Sequence, residues 1–231
     1  MSWHIRLFSL EKELKTGLDM VFFCTPDNPS GVLISKDILL QSLELCEKYY
    51  ARMVVDESFW EFAFDQEAET MLPYIGQFQS LFLLRSFTKM YGIPGLRLGY
   101  GLCSDTDLLE RMEEVRQPWG VSIPAQEAGI AALDETDWCR QVRSYVTEQR
   151  MWLAGELESM GCKVYPSSAN YLLFYLDQEL MESLKRKGIL IRDCSNYQGL
   201  TKGYYRIAVK TEEENRQLID AIRDALDKED L

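Results

Sequence analysis

The sequence predicts an α/β fold in two lobes: a larger lobe on a parallel or mixed sheet, then a small C-terminal α+β lobe. Three observations carry this expectation. Apolar, β-rich runs DMVFFCT, RMVVDES, SLFLLRS and LGYGLCS succeed one another in the first hundred residues, with a helical pattern between the first two. A mostly helical stretch follows from Ser104. After Gly161 come short strands, KVYP, NYLLFYL, ILIRDC and YYRIAV, interleaved with helix-like segments.

In chain order, SKDILLQSLELCEKYY repeats Ile38, Leu39, Leu43 and Cys46 at helical spacing, making the first unit β-α-β. Continuous apolar strands fit a parallel sheet covered on both faces. Ser104-Asp-Thr-Asp107 reads as a capping box, QPWGVSIP as a Pro-bounded connection, and AQEAGIAAL and about Asp134 to Met160 as helices forming a hinge between lobes. The expected division is 1–134 for the large lobe and 135–231 for the small one. In the latter, QELMESLKRKG reads as a helix whose Lys185-Arg-Lys187 run suits a helix C-terminus, and Thr211-Glu-Glu-Glu214 caps a terminal amphipathic helix.

Composition narrows the function classes. The 231 residues are 46% apolar and 27% charged, with a net charge of −12. An acidic chain argues against a nucleic-acid or anionic-membrane partner, so any anionic ligand must be held by local cations. Six cysteines at 24, 46, 103, 139, 162 and 194 include no C-x-x-C pair, and they read as reduced thiols of a cytoplasmic protein without a metal. The only histidine, His4, lies at an expected frayed terminus, which argues against serine or cysteine triads. No basic helix-turn-helix segment suggests a regulator.

LRSFTKMYGIPGLRLGYG gathers one lysine, two arginines and four glycines behind an apolar strand. Lys89 falls near the carboxyl end of the sheet, where α/β folds place ligands, and can form a Schiff base; it also reads as a solvated loop lysine. Ser86 and Arg97 stand three residues before and eight after it, a hydroxyl and a guanidinium suited to a phosphate dianion. A surface salt bridge is the other reading of Arg97, and Arg85 receives no role. Asp56 ends RMVVD and calls for a cationic partner such as a protonated ring nitrogen, or serves as a helix cap or ion pair. Asn28 in TPDNPSG has an amide able to donate to a phenolate oxygen, though Asn-Pro is a common turn. In YYRIAV, alternation puts Tyr205, Ile207 and Val209 on one face and Tyr204, Arg206 and Ala208 on the other. Arg206 can clamp a carboxylate, and Arg192 in ILIRDC is a second anion contact or a solvated strand end.

The ordered set NPSG, D-E-S-F, S-F-T-K-x-x-x-x-x-G-x-R and a late Y-R-I resembles the fold-type I pyridoxal-phosphate enzymes, the class I/II aminotransferase family, over nearly the whole chain. The resemblance implies the aspartate aminotransferase fold and the cofactor pyridoxal 5'-phosphate. It implies that Lys89 bears the cofactor, Asp56 pairs with the pyridine nitrogen, Asn28 contacts the ring hydroxyl, Ser86 and Arg97 hold the phosphate, and Arg206 binds the substrate carboxylate.

RSFTKMYGIPGLRLGY, RQPWGVSIPAQ, SSANYLLF, ILIRDCSNYQGL and YYRIAV are most similar to threonine-phosphate decarboxylase of cobalamin synthesis, with histidinol-phosphate aminotransferase as its neighbour. Both act on small phosphorylated substrates, which suggests the substrate phosphate for Arg192. Phe59 stands where the aminotransferase pattern places a tyrosine, so a donor to the ring oxygen is lost.

The resemblance also implies a longer segment before the NPSG turn, on the order of 100 residues, a small domain's worth. Asn28 stands near the start of this sequence, and residues 1 to 20 match none of the expected elements. Two expectations follow: weak cofactor binding by the chain alone, since a helix N-terminus for the phosphate is lacking, and an open sheet edge that favours a homodimer or aggregation. The expected function is threonine-phosphate decarboxylation, with a histidinol-phosphate-type aminotransferase and a non-catalytic fragment binding a partner as alternatives.

Overall fold

The computed structural model describes residues 5–63 and 70–227; His4 lies outside the described residues. Two compact units divide the chain, Met1–Asp27 with Leu33–Gln141, and Asn28–Val32 with Val142–Leu231.

The first unit is built on four strands in the order β1 (Met20–Cys24), β2 (Arg52–Asp56), β3 (Leu81–Ser86) and β4 (Gly99–Leu102). β1, β2 and β3 are parallel, with Cys24 opposite Asp56 and Asp56 opposite Leu84, so their carboxyl ends lie at one edge. β4 runs antiparallel to β3, pairing Ser86 with Gly99. The connection between them contains no α-helix to carry the chain back across the sheet, as a parallel return requires.

Helix α1 (Leu7–Leu14) and helix α2 (Lys36–Lys48) cover one face. Leu39, Leu43 and Cys46 of α2 recur at helical spacing and pack with Met53, Val55, Leu81 and Leu83 of the sheet. Val54 and Phe82 are buried on the other face, so β2 and β3 are the two-sided strands that continuous apolar sequence implies. β1 departs from that expectation. It is an edge strand, and Met20 and Phe22 on alternate positions are 50% and 66% exposed. An apolar run reports hydrophobicity, not which face has a neighbour.

α1, which no sequence pattern announces, is tied to α2 by Glu11, whose carboxylate accepts from Lys48 Nζ at 2.9 Å and Tyr49 Oη at 2.8 Å. These donors hold the Glu11 carboxyl down at about 2, from an ordinary 4.5. A depressed carboxylate contributes fully above its unfolded pKa and loses that contribution as pH falls through the folded one. Glu11→Gln is therefore expected to remove a small part of the acid sensitivity of unfolding between about pH 5 and pH 2. Identical acid melting profiles for parent and variant would count against this tether.

Helix α3 (Thr106–Val115) is capped by Asp105, not by Ser104 as the sequence suggested. The Asp105 carboxylate accepts from Leu108 N at 2.9 Å and pairs with Arg52 at the start of β2, a partner only the tertiary fold supplies. Helix α4 (Ile123–Leu133) is capped by Ser122, and helix α5 (Thr136–Ser159) runs across the division between the units.

In the second unit, β5 (Lys163–Val164), β6 (Tyr171–Tyr175), β7 (Arg192–Asp193) and β8 (Tyr204–Ala208) form an antiparallel sheet ordered β5-β6-β8-β7. The alternation read from YYRIAV holds, with Tyr205, Ile207 and Val209 buried. Helix α6 (Met181–Arg186) carries Lys185 and Arg186 in its last turn. Helix α7 (Glu212–Asp227) begins with the expected capping box: Thr211 Oγ1 accepts from Glu214 N, and Glu214 Oε2 accepts from Thr211 N, each at 3.3 Å. Leu218, Ile219 and Ile222 of α7 are buried at helical spacing.

The short segment Asn28–Val32 belongs to this unit although it lies far away in sequence. Gly31 shows why a glycine is needed there. Its φ is +75°, its carbonyl accepts from Ser168 N at 2.7 Å, and a Cβ would stand 2.1 Å from Ser167 Oγ.

None of the six cysteines forms a disulfide. Cys46, Cys162 and Cys194 are buried, and burial pushes Cys46 and Cys162 up to about 11. Among the described residues, no group of three or more His, Cys, Asp or Glu is placed to hold a metal ion, and no helix is long and apolar enough to cross a membrane.

Candidate active site

The first unit gathers four of the residues singled out in the sequence at, or just beyond, the carboxyl edge of its sheet. Asp56 is the last residue of β2, and its Oδ1 accepts from Ser58 N at 2.9 Å, closing a tight turn. That turn engages Oδ1 and leaves Oδ2 for a second donor. Ser86 ends β3, and its hydroxyl lies 2.7 Å from Thr88 Oγ1 and accepts from Thr88 N at 3.2 Å. Two hydroxyls are thus held side by side at a strand end.

Lys89 follows one residue later, exposed, with Nζ 5.6 Å from the centre of the Phe59 ring. An ammonium over an aromatic face is attracted without being neutralised by an acid. The contact orients the side chain, and the amine must shed its proton before it can add to a carbonyl carbon. Phe59 is brought there by the turn that Asp56 closes.

Arg97 has φ +54°, an unusual left-handed backbone for a residue with a long side chain. Its Nη1 donates to Pro94 O at 3.1 Å, and the side chain is otherwise exposed. Tyr50 and Trp119 share this left-handed backbone, so the conformation sets how the Arg97 side chain leaves the loop without by itself giving it a role.

The second unit brings together Asn28, Arg192 and Arg206. Arg206 Nη1 donates to Asn28 Oδ1, joining positions 178 residues apart in sequence. This bond commits the amide oxygen of Asn28 and leaves its NH2 group to donate elsewhere. Arg206 also lies with its guanidinium carbon 5.2 Å from the centre of the Tyr171 ring. Arg192 is directly opposite Arg206 across the β7–β8 pair, and its Nη2 donates to Asn196 Oδ1 at 3.1 Å. Directly paired residues share a face, and like charges so placed repel. The sequence showed neither this register nor the Asn28–Arg206 bond.

Thr88 joins the site without having been expected there, although its hydroxyl adjoins Lys89 in S-F-T-K and was a visible signal. Arg85, which had no expected role, pairs with the buried Glu57 at 2.7 Å.

The donor set fits a phosphorylated aldehyde with a basic ring nitrogen. Two hydroxyls and a guanidinium suit the phosphate, a primary amine suits the aldehyde, and the unengaged oxygen of Asp56 suits a ring N–H.

Comparison with known proteins agrees. The chain is 38% identical over 207 residues to histidinol-phosphate aminotransferase 2 of Archaeoglobus fulgidus, covering 89% of this chain and 58% of that protein. It is 35% identical over 217 residues to threonine-phosphate decarboxylase of Salmonella typhimurium, covering 92% and 59%. The chain thus spans somewhat over half the length of these curated relatives. The crystal structure of the histidinol-phosphate aminotransferase from Clostridium acetobutylicum superposes with a TM-score of 0.92 at 27% identity, over 97% of this chain and 69% of that one. The sequence pattern of aminotransferase class I and II matches residues 1–222. Nearly the full chain follows that pattern and that fold, with a lysine, an aspartate and paired hydroxyls at the expected sheet edge: it belongs to the aminotransferase class I and II family.

Proposed function

We propose that this chain carries the lysine-bearing part of a pyridoxal 5'-phosphate enzyme that decarboxylates L-threonine O-3-phosphate. The observation that carries the reading is the facing pair Arg192 and Arg206. Two cations held on one face, one of them pinned by Asn28, suit a substrate with two anionic groups. Phosphothreonine has a carboxylate for Arg206 and a phosphate for Arg192.

When bound, pyridoxal phosphate supplies an electron-accepting ring that lets a bond at the substrate's α-carbon break. In this reading Lys89 would attach the cofactor through its amine and serve as the group that moves a proton at the α-carbon. Asp56 would hold the ring nitrogen in its protonated form. Ser86, Thr88 and Arg97 would hold the phosphate, and the Asn28 amide would be a donor for the ring oxygen. The division of the chain near residue 134 would set a cofactor-bearing lobe apart from a small lobe. A soluble cytoplasmic homodimer completes the proposal.

Phe59 cannot donate a hydrogen bond to the ring oxygen. Phe59→Tyr is expected to restore a donor that favours the deprotonated lysine adduct, lowering the pH midpoint of its absorbance change by about 1 unit or more. An unchanged or raised midpoint would remove Phe59 from the site.

A histidinol-phosphate-type aminotransferase is the second reading, favoured by the 38% identity to the Archaeoglobus protein. The test is to incubate the chain and pyridoxal phosphate with phosphothreonine, and separately with an amino donor and a 2-oxo acid. Carbon dioxide release without amino transfer supports the decarboxylase, and amino transfer without carbon dioxide supports the aminotransferase. Neither product would sink both for this chain and leave a non-catalytic, partner-binding role.

A further inference from the structure

Glu57 is the residue after Asp56, and Arg85 is the residue before Ser86. The Glu57 side chain is 0% exposed and that of Arg85 only 11%. Glu57 Oε2 accepts from Arg85 Nε at 3.1 Å and Nη2 at 2.7 Å. Its Oε1 accepts from Met71 N at 2.8 Å, and Thr70 Oγ1 donates to the same carboxylate. Arg85 Nη2 also donates to Thr70 Oγ1 at 2.8 Å, and the guanidinium stacks 4.0 Å from the centre of the Trp60 ring.

A buried ion pair is weak evidence for stability, because taking both charges out of water offsets most of their attraction. Its better-attested use is to fix one geometry among several. This pair is placed to do that. Glu57 N donates to Leu84 O at 2.9 Å, extending the β2–β3 ladder one step past Asp56. Successive residues of an extended strand alternate in direction, so Asp56 and Ser86 face away from Glu57 and Arg85. The contact, two guanidinium nitrogens on the one oxygen Oε2, therefore stitches the two strand ends together from behind. Trp60 extends the stitch to the turn bearing Phe59, whose ring meets Lys89.

We infer that Glu57 and Arg85 are positioning residues: their buried pair fixes the ends of β2 and β3 so that Asp56, Ser86 and Lys89 hold one geometry toward pyridoxal phosphate. This rests on the reading that those three residues hold the cofactor. Lysine at position 85 keeps the charge but cannot reach Glu57 Oε2 with two nitrogens and Thr70 Oγ1 at once in the same planar geometry, so it should not substitute fully.

The experiment uses the full chain and three variants, Arg85→Lys, Glu57→Gln and the milder Thr70→Val, with far-ultraviolet circular dichroism and thermal melting as controls for folding. Pyridoxal phosphate affinity and the pH midpoint of the lysine-linked absorbance are measured well below each melting temperature. Arg85→Lys and Glu57→Gln are expected to weaken cofactor affinity roughly 10- to 100-fold, as small misplacements of reacting groups do, and to shift the midpoint. Thr70→Val, which keeps the ion pair, should show a smaller change in the same direction. Folded Arg85→Lys or Thr70→Val with parental affinity and midpoint overturns the positioning role, since a merely structural pair changes melting alone. If the parent chain forms no adduct at Lys89, the cofactor reading itself fails and takes this inference with it.

Discussion

If Lys89 bears the cofactor as proposed, Lys89→Ala is expected to abolish the borohydride-reducible adduct with pyridoxal phosphate. Turnover should fall with it by about 10³-fold or more, since a covalent nucleophile has no substitute among neighbouring groups. The geometry makes the prediction specific. Lys89 alone follows the paired hydroxyls of Ser86 and Thr88 at the end of β3, and its amine lies over Phe59 rather than against an acid. Peptide mapping after reduction decides the matter. Label at Lys36, Lys185 or any other lysine, retained in Lys89→Ala, would sink the assignment. A Lys89→Arg variant that binds the cofactor without a reducible bond would separate phosphate binding from attachment.

The second large effect concerns Gly31. Gly31→Ala is expected to destabilise the second unit by roughly 2–4 kcal/mol, combining left-handed strain with overpacking. That corresponds to a melting temperature lower by roughly 5–10 °C for a chain of this size. The added methyl would meet Ser167 Oγ at 2.1 Å and Ser167 Cα at 3.2 Å, and the Gly31 carbonyl bonded to Ser168 N holds the two segments at that distance. Gly188→Ala is the control. Gly188 has φ +74°, and a methyl added there would meet nothing within 4 Å, so it reports strain alone. Equal melting temperatures for the two variants would show that the close approach to Ser167 costs nothing. Because Asn28 lies on the same short segment, the Gly31 variant should also weaken any ligand that Arg206 binds.

Much of the fold was legible because its local rules agree with its tertiary outcome. The apolar runs MVV and LFL within RMVVD and LFLLRS are β-rich, and they became the buried parts of β2 and β3. YYRIAV alternates, and its apolar set is the buried set. Thr211 and Glu214 are spaced for reciprocal capping and cap α7. Each is a local property, governed by residues within a few positions of one another.

Where two distant segments compete for one group, local rules fell short. Ser104 looked like a cap, but Asp105 caps the helix through Oδ1 while its other oxygen pairs with Arg52, a contact no local pattern shows. MVFFC looked like a strand covered on both faces, but it lies at the sheet's edge and leaves Phe22 exposed.

The same division holds for chemistry. Sequence alone determined the residue types and their order: a lysine with flanking hydroxyls after an apolar strand, an aspartate ending another, an Asn-Pro-Ser-Gly turn and two late arginines. Covalent spacing places these near strand ends, since a strand's direction sets where its last side chain emerges. Tertiary structure decided which groups meet. It set Arg192 opposite Arg206, bonded Arg206 to Asn28, and joined Glu57 to Arg85 behind Asp56 and Ser86. Strand register and through-space ion pairing depend on packing between segments far apart in the chain, and no local pattern encodes them.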